Sequence, residues 1–146
     1  PPGGTRVFVA FEPATNGSGP RALSAGATSA YFLQEFLWST DGTESGTRLI
    51  THGGVPIPAA DFGSIAVTGD VAYSCAWDAL WRTDGTDAGT VLLSPAGYGC
   101  RWLVRSGNEV FFLLVDLTTE KEYLWRTNGS PEGAAHSPGN APRDGE

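Results

Sequence analysis

The chain of 146 residues carries a net charge of −7 at pH 7, and Lys121 is its only lysine. Nucleic acid and anionic membranes are held by clustered basic faces, and here the arginines are scattered, so neither is expected as a partner. With 20 glycines, 10 prolines, no methionine and no long stretch of helix formers, the composition points to a turn-rich β protein the size of one ordinary domain.

In chain order, residues 5–11 read as an opening strand. Gly4-Thr5-Arg6-Val7 also matches Gly46-Thr47-Arg48-Leu49 and Gly89-Thr90-Val91-Leu92, with threonine spacings of 42 and 43 residues. This predicts the last strand of a permuted repeat, completing the outer edge of the third sheet either within the same chain or in a neighbouring copy. Residues 12–20 are dense in turn formers and have no apolar periodicity, which predicts a loop. Strands are then expected at 21–25, 29–34, 36–40 and 47–51. A second set is expected at 63–68, 71–77, 79–83 and 90–94, with Gly69-Asp70 as a hairpin turn, and a third at 101–105, 109–115 and 122–127, with Gly107-Asn108 as its turn. A weak fourth strand at 134–138 lacks the leucine and β-branched residues of its counterparts. The third set's second strand, Val110-Phe111-Phe112-Leu113-Leu114-Val115, is apolar without alternation, so both faces of its sheet are expected to be covered.

The expected architecture is therefore all-β: three four-stranded antiparallel sheets arranged as propeller-like blades within a single domain over residues 1–138. The repeats fall at about 21–51, 62–94 and 101–137, and residues 139–146 form a flexible polar tail. No apolar run approaches the ~20 residues that span a bilayer, so membrane insertion is not expected. The start Pro1-Pro2-Gly3-Gly4 has no charged-then-apolar signal, which predicts either a cytosolic protein or one whose targeting segment has been removed.

The organising element is the stretch Leu80-Trp81-Arg82-Thr83-Asp84-Gly85-Thr86, followed by Gly89. It recurs as Leu37-Trp38-Ser39-Thr40-Asp41-Gly42-Thr43 with Gly46, and as Leu124-Trp125-Arg126-Thr127-Asn128-Gly129-Ser130 with Gly133; the tryptophans are 43 and 44 residues apart. A period of this length belongs to repeat architectures. Physically the motif reads as a reversal between strands. Asp41 and Asp84 accept backbone N–H groups two or three residues on, Gly85 and Gly89 supply positive φ, and Thr86 caps remaining amides, with Gly42, Thr43 and Gly46 in the equivalent places. Asn128 keeps the turn but weakens any carboxylate-based metal or catalytic site, which favours a structural role. Trp38, Trp81 and Trp125 precede the turn, where they are expected to pack against an adjacent sheet and to direct the indole N–H to a carbonyl.

These copies resemble the bacterial repeat family named for its ELWxxDGT signature. Phe36 and Ala79 stand where that signature has glutamate, and Asn128 and Ser130 depart from it in the third copy. The resemblance spans residues 4 to about 134 and implies a β-propeller-like, mostly exported or cell-surface protein. The turn is also similar to the Asp-box of sialidase-type propellers, a structural element there. Neither likeness carries catalytic residues or a cofactor onto this chain.

Other chemistry is sparse. Cys75 and Cys100 allow either two buried thiols or one disulfide between neighbouring repeats, and have no metal-ligand spacing. His52 and His136 lie away from any nucleophile elbow, and loop positions are the simpler account. The acid pairs Asp41 with Glu44 and Asp84 with Asp87, echoed by Asn128 with Glu132, do not follow a calcium-loop pattern and are expected to be solvated turn acids. Trp77, Tyr98 and Trp102 lie outside the repeated tryptophan position and are candidates for stacking on a sugar, with Tyr98 expected in an exposed loop; filling gaps between sheets is the alternative for the tryptophans. The sequence thus points away from an enzyme and towards a structural or protein-interaction module of the cell surface, joined to another copy or to other subunits. A carbohydrate-binding propeller is the alternative, with glycans as partners.

Overall fold

The computed structural model describes residues 7, 9–11, 19–59, 64–76, 79–127 and 134–136. Among them there is no helix, and all strand pairing is antiparallel. The first sheet is a meander of β1 (Arg21–Ala25), β2 (Ala30–Gln34), β3 (Phe36–Thr40) and β4 (Arg48–Leu49). A two-stranded ribbon follows, β5 (Thr51–His52) with β6 (Val55–Pro56). The second sheet contains β7 (Ser64–Thr68), β8 (Val71–Ala76), β9 (Ala79–Thr83) and β10 (Val91–Leu92). The third contains β11 (Tyr98–Ser106), β12 (Glu109–Asp116), β13 (Glu122–Thr127) and β14 (Ala134–His136).

One register governs all three sheets. Trp38 pairs with Phe32, Trp81 with Ser74 and Trp125 with Phe112; two residues on, Thr40 pairs with Ala30, Thr83 with Ala72 and Thr127 with Val110. Because side chains alternate across a strand, each sheet has a tryptophan face and an opposite face. Sheets pack the opposite face of one against the tryptophan face of the next. Tyr31, Leu33 and Leu37 of the first sheet meet Val67, Ala72 and Trp81 of the second. Tyr73, Cys75 and Leu80 of the second meet Val110, Phe112 and Trp125 of the third. Leu37 and Leu80 are both fully buried in these layers, each contributing about 2 kcal/mol relative to exposure.

Polar contacts fix how the layers sit. The Tyr31 hydroxyl donates to the Asp70 carbonyl at 2.7 Å, and the Asp70 carboxylate accepts the Thr28 N–H and hydroxyl at 2.8 and 2.9 Å. The turn of β7–β8 is thereby tied to the turn of β1–β2. Burial pushes the Tyr31 phenol up to about 12, so it remains a donor at neutral pH. Between the second and third sheets, Arg105 donates to the Val67 carbonyl at 3.3 Å, and Cys75 of β8 is disulfide-bonded to Cys100 of β11, with Cα atoms 5.3 Å apart.

Several expectations change. The fourth strands are shorter than predicted, because Ile50 and Leu93 leave the regular ladder while still donating to Leu37 and Leu80 carbonyls at 2.9 and 2.8 Å. The ribbon β5–β6 was not anticipated; Gly53 and Gly54 turn it with φ of 60° and 81°. Of residues 5–11, the described Val7 and Val9 to Phe11 belong to no strand. Phe11 instead lies on the tryptophan face of the first sheet, 5.5 Å from the Phe32 ring and 5.2 Å from Trp38. The third sheet's outer edge is occupied by its own β14, paired from Trp125↔His136 to Thr127↔Ala134. Nor are both faces of the third sheet covered: Trp102, Val104 and Leu124 are exposed on its opposite face. The expected tail at 139–146 lies outside the described residues.

Candidate functional site

The repeated turn joins β3 to β4 and β9 to β10. In the first copy Asp41 Oδ1 accepts the Thr43 N–H at 2.9 Å and the Thr43 hydroxyl at 2.6 Å; in the second, Asp84 Oδ1 accepts the same groups of Thr86 at the same distances. The threonine oxygen then accepts the N–H of Gly46 at 2.9 Å, or of Gly89 at 3.0 Å. A last hydroxyl closes the circuit, with Thr47 donating to the Thr43 carbonyl at 2.7 Å and Thr90 to the Thr86 carbonyl at 2.6 Å. Since that proton is committed, Thr40 must donate in its 2.7 Å contact with Thr47, and Thr83 in its 2.7 Å contact with Thr90. Two separate stretches of sequence thus produce one directed hydrogen-bond chain.

The two glycines of each turn serve different purposes. Gly42 and Gly85 have φ of 94° and 95°, a conformation that strains any side chain. Gly46 and Gly89 do not adopt positive φ, contrary to the expectation for Gly89. They are glycines because a β-carbon would overlap the carboxyl groups of Asp41 and Asp84. Asn128, Gly129 and Gly133 of the third copy lie outside the described residues.

The turn aspartates are spoken for. Hydrogen bonds from the Thr43 hydroxyl and N–H hold Asp41 below the usual carboxylate range, and the Thr86 hydroxyl and N–H do the same for Asp84. Glu44 and Asp87 contribute backbone carbonyls to Thr47 and Thr90. The Asp87 side chain reaches across to the ribbon, where it accepts the Thr51 hydroxyl at 2.6 Å and the N–H groups of Gly54 and Gly53 at 2.7 and 3.0 Å. These donors also lower its pKa, the Thr51 hydroxyl foremost. His52 Nδ1 lies 2.7 Å from the Thr90 carbonyl, which only accepts, so that nitrogen carries the proton; its ring lies 5.3 Å from Trp81. Among the described residues no three His, Cys, Asp or Glu side chains converge as metal ligands.

The tryptophans complete the motif. Trp38 donates its indole N–H to the Gln34 carbonyl at 3.0 Å and stacks on Phe32 with ring centroids 6.1 Å apart. Trp125 repeats the stacking on Phe112 at 6.2 Å. In the second sheet the paired position is Ser74, and His52 from the ribbon supplies the neighbouring ring instead.

Of the three further aromatics, the two described ones lie in different settings. Tyr98 opens β11 rather than lying in a loop, because Gly99 pairs with Val115 and extends the strand; its half-buried ring is 6.1 Å from Tyr123. Trp77 lies outside the described residues. Trp102 is the exposed member at 68%, placed there by a bulge at Arg101 that offsets the pairing between Cys100 and Trp102. Arg101 makes a 2.8 Å ion pair with Glu122. Comparison of the chain with known protein families, with curated proteins and with solved structures gave no match.

Proposed function

We propose that this chain is a propeller-like structural module of the ELWxxDGT type, in which each four-stranded sheet serves as a blade, and that it works through protein–protein contact rather than catalysis. The observation that carries this reading is the fate of the motif's polar atoms. In both described copies the aspartate carboxylate and the threonine hydroxyls hydrogen-bond within the turn, which gives these side chains a structural part to play. What the repeats leave open is apolar sheet surface, which favours association. The Cys75–Cys100 disulfide supports an extracellular or cell-surface setting, since such bonds persist in oxidising compartments.

A photo-activatable cross-linker placed at Trp102 in the native cells tests the reading. Covalent capture of a protein at that position, with none from a cross-linker at the solvated Glu44, is the expected result. Capture of no protein from Trp102 would overturn it.

One observation favours a second reading, a carbohydrate-binding module: the exposed Trp102 ring lies next in sequence to Arg101, which is paired with Glu122, and that combination of a flat ring and charged groups suits a sugar. Glycan-array binding abolished by Trp102→Ala would support it over protein contact. The surrounding Leu113, Leu124 and Val104 favour another sheet instead.

A further inference from the structure

The two described interfaces between sheets obey one rule, and among the described residues one face of each kind has no sheet against it. In the first and second sheets, the residues opposite the tryptophan are buried against the next sheet: Leu37 and Leu80, on the third strands, each have 0% exposure. Their counterpart in the third sheet is Leu124, aligned with Leu113 as Leu37 is with Leu33, and it is 36% exposed. Beside it Trp102 pairs with Leu113 and Val104 with Phe111 on the same face, and Val104 is 61% exposed. The third sheet therefore carries apolar groups where its predecessors carry their buried contact, without a tryptophan face against them.

The complementary surface lies at the other end of the molecule. The tryptophan face of the first sheet has no preceding sheet among the described residues. It carries Phe32, buried at 5%, and the half-buried Trp38, with Leu23 exposed at 73% beside them. Phe11 covers part of it and leaves a cavity of about 210 Å³ lined by Val9, Phe11, Leu23 and Phe32. This face is of the kind that the second and third sheets present to their neighbours.

We propose that the opposite face of the third sheet docks on the tryptophan face of the first sheet in a second copy of this chain, head to tail, continuing the rule of the two internal interfaces. The contact is heterologous, so two copies close a ring if the rotation between sheets permits it and otherwise extend as a filament. This rests on the reading of the chain as a protein-contact module. It adds the partner and the two surfaces involved.

The test is solution mass by light scattering on the full chain, on Val104→Asp and Leu23→Asp, and on an equal mixture of the two variants. Both substitutions fall on exposed side chains, and far-UV circular dichroism checks their folding; Trp102→Glu replaces Val104→Asp if that variant does not fold, and Leu23→Lys replaces Leu23→Asp. The wild type is expected at a multiple of the 15.3 kDa chain mass and each variant at 15.3 kDa. The mixture is expected to recover a species of twice that mass, because each variant retains the face its partner has lost. A monomeric wild type overturns the proposal, as does a mixture that stays monomeric, and as does a single variant that still dimerises alone, which would mean that like faces pair. A monomeric wild type that still captures a different protein through Trp102 in cells removes the second copy as partner and leaves the contact-module reading standing.

Discussion

Gly89 lies so close to Asp84 that a β-carbon on the glycine would occupy the space of the aspartate carboxyl, and Gly46 stands in the same relation to Asp41. The glycine at the end of the motif is thus conditional on the aspartate at its start.

Gly89→Ala must displace the Asp84 carboxyl and with it the two hydrogen bonds from Thr86. The expected loss is about 2–3 kcal/mol, from two bonds at roughly 1 kcal/mol each plus strain. Removing the carboxyl should relieve the clash, so Asp84→Ala combined with Gly89→Ala should lose less than the sum of the single substitutions. Urea unfolding of the four proteins checks this; strict additivity would contradict the steric account.

The Cys75–Cys100 bond closes a loop with a sequence separation of 25 and joins the second sheet to the third. The Cys75→Ser, Cys100→Ser double variant should lose about 3.5 kcal/mol, the loop-closure value for that length. Hydrogen exchange should quicken most in β11 and β12. Equal quickening in the first sheet would show that the bond restrains the whole chain rather than this junction.

Asp87→Ala removes the acceptor for the Thr51 hydroxyl and for the Gly53 and Gly54 N–H groups. The ribbon β5–β6 should loosen while both sheets persist. Faster amide exchange at Gly53 and Gly54, with unchanged protection in β8, is the expected pattern.

Asp41, Asp70, Asp84, Asp87 and Asp116 all titrate below the ordinary aspartate range, because threonine hydroxyls and backbone N–H groups favour their ionised forms. Their contribution to stability is complete above the unfolded-state value of about 3.9 and is lost as the pH falls through the lowered folded-state values. The thermal midpoint should be level above about pH 5 and decline steadily below about pH 4. Asp84→Asn, which keeps an acceptor oxygen without the charge, should shallow that decline; thermal scans across the acid range measure both effects.

The parts of the fold that were legible in the sequence are those set by local pattern. The period of the tryptophans located β3, β9 and β13 at the bounds observed, and Gly69-Asp70 and Gly107-Asn108 turn where expected. The Gly53-Gly54 turn signal was equally present, but Pro56 and the brevity of its strands concealed the ribbon. Tyr98 was misplaced because flanking glycines suggest a loop; Gly97 does turn the chain at φ 84°, while Gly99 pairs within the strand. The steric role of Gly46 and Gly89 was beyond sequence, because it depends on where a side chain five residues earlier comes to rest. Exposure of Leu124 was likewise invisible: nothing local separates it from the buried Leu37 and Leu80.

Because every sheet turns its tryptophan side the same way, the stack has a direction, like a file of people each facing the back of the next. Inserting or deleting one unit would change its length but leave the same two unlike ends, so duplication of a repeat could lengthen such a protein without a new junction having to be invented.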